Sequence, residues 1–189
     1  MLLQVAHILV SLGAAFAPGE IGRGVNATGG ETLIASLGDA LISTLHAGVE
    51  SRHAGLELSV GVLGRAVRVD NELGTPFPHH GRRPATWTAA LRLFPLSVLT
   101  QRALPAEPWV ALGGGGMVLS ADLDNVNDQT LYHRWQWSLG AGVRVPLSER
   151  RWDPETVLDL RVTRMRVGAR APFQAFDVVA AMVGLGLRF

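Results

Sequence analysis

The chain has 189 residues, 48% of them hydrophobic and 17% charged, with a net charge of +1 and no cysteine. Soluble chains carry about 25% charged residues, so this one is greasy for its size, yet short enough to form one domain over 1–189. The missing cysteine excludes disulfides, thiolate metal sites, cysteine nucleophiles and a lipidated-cysteine anchor, and no Lys/Arg stripe with interleaved aromatics supports nucleic-acid binding.

Met1 to Gly19 carries no charged side chain apart from a titratable His7. As a helix the segment is about long enough to span a bilayer. As a secretory signal it offers a small-residue site at Ala15-Phe16-Ala17 but no Lys or Arg near its start. As a strand it sets Ile8, Val10, Leu12, Ala14 and Phe16 against Leu9, Ser11, Gly13 and Ala15. The strand, near 4–17, is the preferred reading, with a residual signal segment over 1–17 as the alternative.

The same period of two recurs along the chain, and in a strand it separates two faces. Leu41 to Ser51 sets Leu45, Ala47 and Val49 against Thr44, His46, Gly48 and Glu50, and Leu56 to Val67 sets Leu56, Leu58, Val60 and Val62 against Glu57, Ser59, Gly61, Leu63 and Arg65. After a polar loop with three prolines, Thr86 to Phe94 sets Trp87, Ala89, Leu91 and Leu93 against Thr88, Ala90 and Arg92. Trp109 to Ala121 contains Gly113 to Gly116, a poor helix; in a narrow barrel, inward glycine makes room for bulky neighbours. Trp135 to Val145 alternates most cleanly, with Gln136, Ser138, Gly140, Gly142 and Arg144 on the small and polar face. Val157 to Met165 sets Leu158, Leu160 and Val162 against Asp159, Arg161 and Thr163. The last seventeen residues, Phe173 to Phe189, place Val179, Ala181, Val183, Leu185, Leu187 and Phe189 opposite Ala180, Met182, Gly184, Gly186 and Arg188.

An apolar row alone does not say which way it faces. Its repetition, with arginines and acids always on the small-residue face, is the pattern of a membrane barrel, apolar outside and polar inside. The expected fold is therefore all-β, an eight-stranded antiparallel up-and-down transmembrane β-barrel. Short connections (52–55, 101–108, 148–155) alternate with longer polar ones (17–40, 69–85, 121–134), 168–172 being an exception. The short side belongs to the periplasm.

Val10-Ser11-Leu12-Gly13-Ala14, Gly55-Leu56-Glu57-Leu58-Ser59-Val60-Gly61, Pro108-Trp109-Val110-Ala111-Leu112-Gly113-Gly114-Gly115, Leu139-Gly140-Ala141-Gly142-Val143-Arg144 and Gly184-Leu185-Gly186-Leu187-Arg188-Phe189 carry a resemblance. With them the chain resembles small bacterial outer-membrane β-barrel proteins of the eight-stranded OmpA/OmpX-like superfamily. The resemblance implies residence in the bacterial outer membrane, contact with its lipids and lipopolysaccharide, and an assembly signal for the barrel-assembly machinery in Leu185, Leu187 and Phe189. Members differ widely in role, so activity does not follow from fold.

The candidate interior network is Glu50, Glu57, Arg65, Arg92, Arg144, Asp159, Arg161 and Arg188. An eight-stranded barrel is only wide enough for side chains, so these charges must neutralise one another; a packed polar plug is expected rather than an open pore. His46 and Glu50, on one strand face, invite a lipid A deacylase-like reading, but four residues of strand separate them by about 13 Å and no His-x-Ser pair completes a triad. Asp122, Asp124, Asn125, Asn127 and Asp128 offer oxygen ligands without the spacing or closing Glu of an EF-hand. His79-His80 beside Arg82 and Arg83 is a weak metal or headgroup signal, and Asn26-Ala27-Thr28 is a sequon without meaning in a bacterial outer membrane. No catalytic, cofactor or metal site is assigned. The expected protein is a monomeric, non-enzymatic outer-membrane barrel with a structural or surface-interaction role. Alternatives are an outer-membrane lipid-modifying hydrolase and a soluble lipocalin-like barrel, which would turn the Leu/Val/Trp face inward and Arg92, Arg144 and Arg161 outward.

Overall fold

The computed structural model describes residues 5–25, 30–76, 82–96, 105–121, 131–148 and 154–189. Eleven strands follow in chain order: β1 (Val5–Phe16), β2 (Glu20–Val25), β3 (Thr32–Ser36), β4 (Ala40–Glu50), β5 (Ala54–Leu63), β6 (Arg68–Asn71), β7 (Ala85–Leu93), β8 (Glu107–Ser120), β9 (Leu131–Pro146), β10 (Glu155–Val167) and β11 (Phe176–Arg188). Eight of them close a barrel in the order β1-β11-β10-β9-β8-β7-β5-β4, every pair antiparallel. Around that ring the strands run in chain order, so the barrel is up-and-down. Ring closure joins the first strand to the last, with Ile8 opposite Leu187 and Phe16 opposite Val179. Closure leaves the barrel sheet itself without an edge strand.

The period of two fixes what each strand presents. Along β11, Val179, Val183, Leu185 and Leu187 are exposed while Val178, Ala180, Met182, Gly184 and Gly186 are buried. The exposed row continues around the wall through Val10, Leu45, Leu58, Leu91, Leu112, Leu139 and Val162. Arg92, Arg144 and Arg161 point inward and are buried, the opposite of what the lipocalin-like alternative requires.

Glycines allow two close approaches. The indole of Trp109 lies in the lumen against β9, where a Cβ on Gly142 would come within 2.5 Å of the ring. On the outer wall, Trp87 lies across Gly116, where a Cβ would come within 2.7 Å of its Nε1. Trp87 thereby meets Trp135 edge-to-face, with ring centroids 6.2 Å apart.

The remaining strands were not expected. The connections at 17–40 and 69–85, expected as longer polar connections, contain β2 and β3 and lead through β6, which form a three-stranded sheet in the order β2-β3-β6. The segment 170–174 ties it down: Arg23 donates its backbone N–H to the Pro172 carbonyl at 3.2 Å, and Gln174 donates to Ile21 at 3.0 Å. Ile21, Leu33, Ala35, Leu37, Val67 and Val69 from this region join Met117, Leu119, Met165, Val167, Phe173, Phe176 and Val178 in one buried cluster. The sheet is thus an apolar cap on the long-connection end of the lumen.

Candidate functional site: the ionic interior

The other half of the lumen has the opposite chemistry. Inward positions nearest the short connections hold four arginines, Arg92, Arg144, Arg161 and Arg188, and five carboxylates, Glu50, Glu57, Glu107, Glu155 and Asp159. Two clusters share these charges. In the inner one, Arg92 Nη2 donates to Glu57 Oε2 at 2.5 Å, and its Nη1 faces Asp159 Oδ2 at 3.4 Å. Arg161 Nε donates to Asp159 Oδ1 at 2.9 Å and its Nη1 to Glu57 Oε1 at 3.0 Å. Both guanidiniums also lie over Trp109, at 4.2 and 5.1 Å from the ring centroid, the geometry of a cation–π contact.

In the cluster nearer the rim, Arg144 Nη1 donates to Glu50 Oε1 at 2.5 Å and its guanidinium lies 5.3 Å from the Phe94 ring centroid. Arg188 Nε meets the same oxygen at 3.1 Å, and its Nη1 faces Glu107 and Glu155, each at 3.5 Å. His7 joins the clusters, with Nδ1 3.5 Å from Glu50 and Nε2 3.4 Å from Glu57. Taking ions out of water costs several kcal/mol each, and only good pairing offsets it. Here every arginine meets at least one carboxylate, and Asp159 is fully enclosed between two of them.

Between ions and cap lies a cavity of about 50 Å³, lined by Thr44, Ser59, Thr86, Thr88, Ser138 and Thr163, with Met165, Met182 and Ile42 towards the cap. Space of this size with polar walls suits a few waters. At its edge Thr44 Oγ1 stands 2.7 Å from His46 Nε2, while His46 Nδ1 faces Arg161 Nη1 at 2.9 Å and Glu57 Oε1 at 3.2 Å. That nitrogen can serve one of the two, donating to Glu57 when protonated or accepting from Arg161 when not. The carboxylate beside His46 is therefore Glu57, across the β4–β5 ladder, and not Glu50 along its own strand.

Of the eight network residues expected from sequence, the structure brings seven together. Arg65 is the exception and is exposed. The β5 ladder ends at Leu63, whose N–H goes to the Pro84 carbonyl at 2.9 Å; beyond it the chain turns towards β6, so the parity that placed Arg65 inward no longer applies. Glu107 and Glu155 were missed because each precedes the first residue assigned to its strand, and His7, inside the strand read near 4–17, because the alternation was followed only from Ile8; extending it by one or two residues finds all three. Leu185, Leu187 and Phe189 face outward at the short-connection rim, where the Phe189 N–H donates to the Ala6 carbonyl at 2.8 Å. His79, His80, the 122–128 loop and the sequon at 26–28 lie outside the described residues. Among the described residues no group of three His, Asp or Glu is placed to hold a metal.

At the opposite end the surface is also charged. On β2, Arg23 Nε donates to Glu20 Oε1 at 2.6 Å, and this bond holds the Glu20 carboxyl below its ordinary range and raises the Arg23 guanidinium. Outward-facing Arg164 and Arg166 both reach Asp177 at 3.0 Å.

No protein-family model matches the chain, and no curated protein matches it. Solved structures do. Neisserial surface protein A superposes with a TM-score of 0.63 at 13% identity, over 97% of each chain. The outer membrane protein OprG of Pseudomonas aeruginosa gives 0.63 at 14% identity, over 97% of this chain and 95% of its own. The N-terminal β-barrel domain of Pseudomonas aeruginosa OprF gives 0.53 at 12% identity, over 97% of each. The fold is that of small eight-stranded outer-membrane barrels.

Proposed function

We propose that the protein is an integral, monomeric component of the bacterial outer membrane, a closed barrel whose role is structural or exercised through the surface of its long-connection end, without catalysis. The observation that carries this reading is the outer wall. Apolar side chains such as Val10 at 60%, Leu58 at 65% and Leu112 at 63% exposure encircle all eight strands, whereas soluble monomers seldom expose contiguous apolar patches beyond a few hundred Å². Lipid is the solvent in which such a wall costs nothing, and a closed ladder satisfies the backbone there.

The lumen supports a non-conducting barrel. Arg92 at 1% and Arg144 at 2% exposure sit within the ionic half, and the buried apolar cluster under the β2-β3-β6 sheet lies at the other end. The hydroxyl–imidazole–carboxylate chain Thr44–His46–Glu57 has the order of a nucleophile relay, yet it is enclosed between the methionines above and the arginines below; assays of lipid deacylation are expected to be negative. For biogenesis, Phe189 with Leu187 and Leu185 would be read by the barrel-assembly machinery, as the family resemblance implies.

The test is fractionation with gel mobility. The protein is expected in the outer-membrane fraction, running at different positions boiled and unboiled because the closed ladder resists detergent. A protein soluble without detergent whose two bands coincide contradicts the reading.

A further inference from the structure

A thioether and an imidazole meet across one hydroxyl in the wall of the small cavity between the ions and the cap. On β4, Thr44 and His46 point inward and are buried; on β11, Met182 does the same. β1 runs between these two strands, and its Gly13 pairs with Met182 on one side and Ile42 on the other. With no side chain at Gly13, the Met182 thioether crosses β1, and its Sδ lies 3.6 Å from Thr44 Oγ1. His46 Nε2 lies 2.7 Å from the same oxygen.

His46 is satisfied in either tautomer. With the proton on Nε2, the imidazole donates to Thr44 Oγ1, Thr44 donates to Met182 Sδ, and Arg161 Nη1 donates to the bare Nδ1 at 2.9 Å. With the proton on Nδ1, it is donated to Glu57 Oε1 at 3.2 Å, and Arg161 keeps its bonds to Glu57 and Asp159. In this second state the Nε2 lone pair and the Met182 sulfur face the same buried oxygen, whose single proton cannot serve both. An Nδ1–H bond to a carboxylate is also the arrangement that orients a metal-bound histidine. Both ligand atoms are neutral, and the carboxylates nearby, Glu57 and Asp159, are already matched by Arg92 and Arg161. Thioether sulfur selects soft ions, and no anionic group is left over to balance a second charge. Displaced from Nε2 and Sδ, the Thr44 hydroxyl has Ser11 as its neighbour in the β1–β4 ladder, a buried side chain whose Oγ has no partner among the described residues.

We propose that His46 Nε2 and Met182 Sδ bind one soft monovalent metal ion, of the Cu(I) and Ag(I) class, inside the lumen, with Glu57 holding the imidazole in the binding tautomer. Two-coordinate binding is ordinary for these ions, so one imidazole and one thioether suffice. The site lies wholly within the lumen and is independent of what the outer wall faces.

The experiment is native mass spectrometry of the barrel refolded in nitrate buffer with Ag(I) and desalted before release from micelles. The wild type is expected to retain one Ag(I) that Met182→Leu and His46→Gln each lose. Met117→Leu, which removes a buried thioether elsewhere in the same apolar cluster, should keep that ion. Refolding with Zn(II) instead should place no metal at this site, because zinc takes thiolate, imidazole and carboxylate ligands and not thioether. Each variant is checked first for heat-modifiable mobility; Met182→Leu nearly conserves core volume, so it decides the matter if His46→Gln does not fold. A folded wild type that retains no more Ag(I) than Met182→Leu overturns the proposal and leaves adventitious ions only. So does a loss on Met117→Leu equal to that on Met182→Leu, or Zn(II) held with the same dependence on His46 and Met182. None of these outcomes touches the outer-membrane reading.

Discussion

The two halves of the lumen are built from the same strands with the same inward parity, yet one is ionic and the other aliphatic. On β10 the change occurs within four residues, from Asp159 and Arg161 through Thr163 to Met165 and Val167. On β11 it runs the other way, from Val178, Ala180 and Met182 to Arg188. The halves differ in what closes them. The long-connection end is covered by the β2-β3-β6 sheet, which supplies aliphatic partners, so inward positions there gain by being apolar. Among the described residues no comparable layer covers the short-connection end, and long charged side chains fill the space and neutralise one another instead. Alternation therefore tells which side of the wall a residue is on, while the chemistry of that side depends on depth.

The largest expected effect comes from breaking the ionic half. Glu57 faces Arg92, Arg161, His7 and His46, and Glu57→Leu leaves buried cations uncompensated, a cost of about 3 to 5 kcal/mol. Urea unfolding of the refolded barrel should show it, and adding Arg92→Leu should recover part of the loss; no recovery would mean that the two charges do not depend on each other.

In the apolar half the cost should be set by cavity volume and not by charge. Leu33, fully buried in the cap, should lose about 3 kcal/mol on Leu33→Ala. The loss should be insensitive to salt and confined to the cap, so that hydrogen exchange of β2 and β3 quickens while the barrel ladder stays protected. Uniform quickening would show that cap and barrel unfold as one unit, and the comparison between the halves would then be geometric only.

At the boundary, Thr44→Val removes the hydroxyl facing His46 Nε2, and about 1 to 2 kcal/mol is expected. The same unfolding measurement should place it below both larger effects; a loss equal to that of Glu57→Leu would extend the ionic half up to the cavity. Smallest is Arg188→Ala at the rim. Its side chain is 18% exposed and faces three carboxylates, and partial hydration brings the cost to about 1 kcal/mol or less. A larger loss in the same assay would move Arg188 from the rim into the ionic core.

The barrel was legible because its signal is repeated. β9 from Trp135 to Arg144 and β11 from Val183 to Arg188 alternate cleanly, and eight runs of this kind separated by connections of alternating length leave few other architectures. The cap was not legible: β3 has five residues and β6 four, too few to show a period, and their apolar residues point into a lumen that the surrounding polar composition suggested was filled with charge. The ionic site was read almost completely from parity. Parity failed at Arg65, where the ladder had already ended, and at His7, Glu107 and Glu155, where it had not yet been taken to begin. Pairing between strands, such as Glu57 with Arg92 and His46, is a matter of register, which no single strand's pattern contains.

The most direct test of the proposed non-conducting lumen is single-channel recording of the refolded protein in planar bilayers. Wild-type barrel that is folded by gel mobility is expected to insert and give no discrete conductance steps, because the ionic half and the cap each close the path. Reproducible, ion-selective steps from the folded wild type would contradict the account and show that water and ions pass between the Arg92–Glu57–Asp159–Arg161 cluster and the wall.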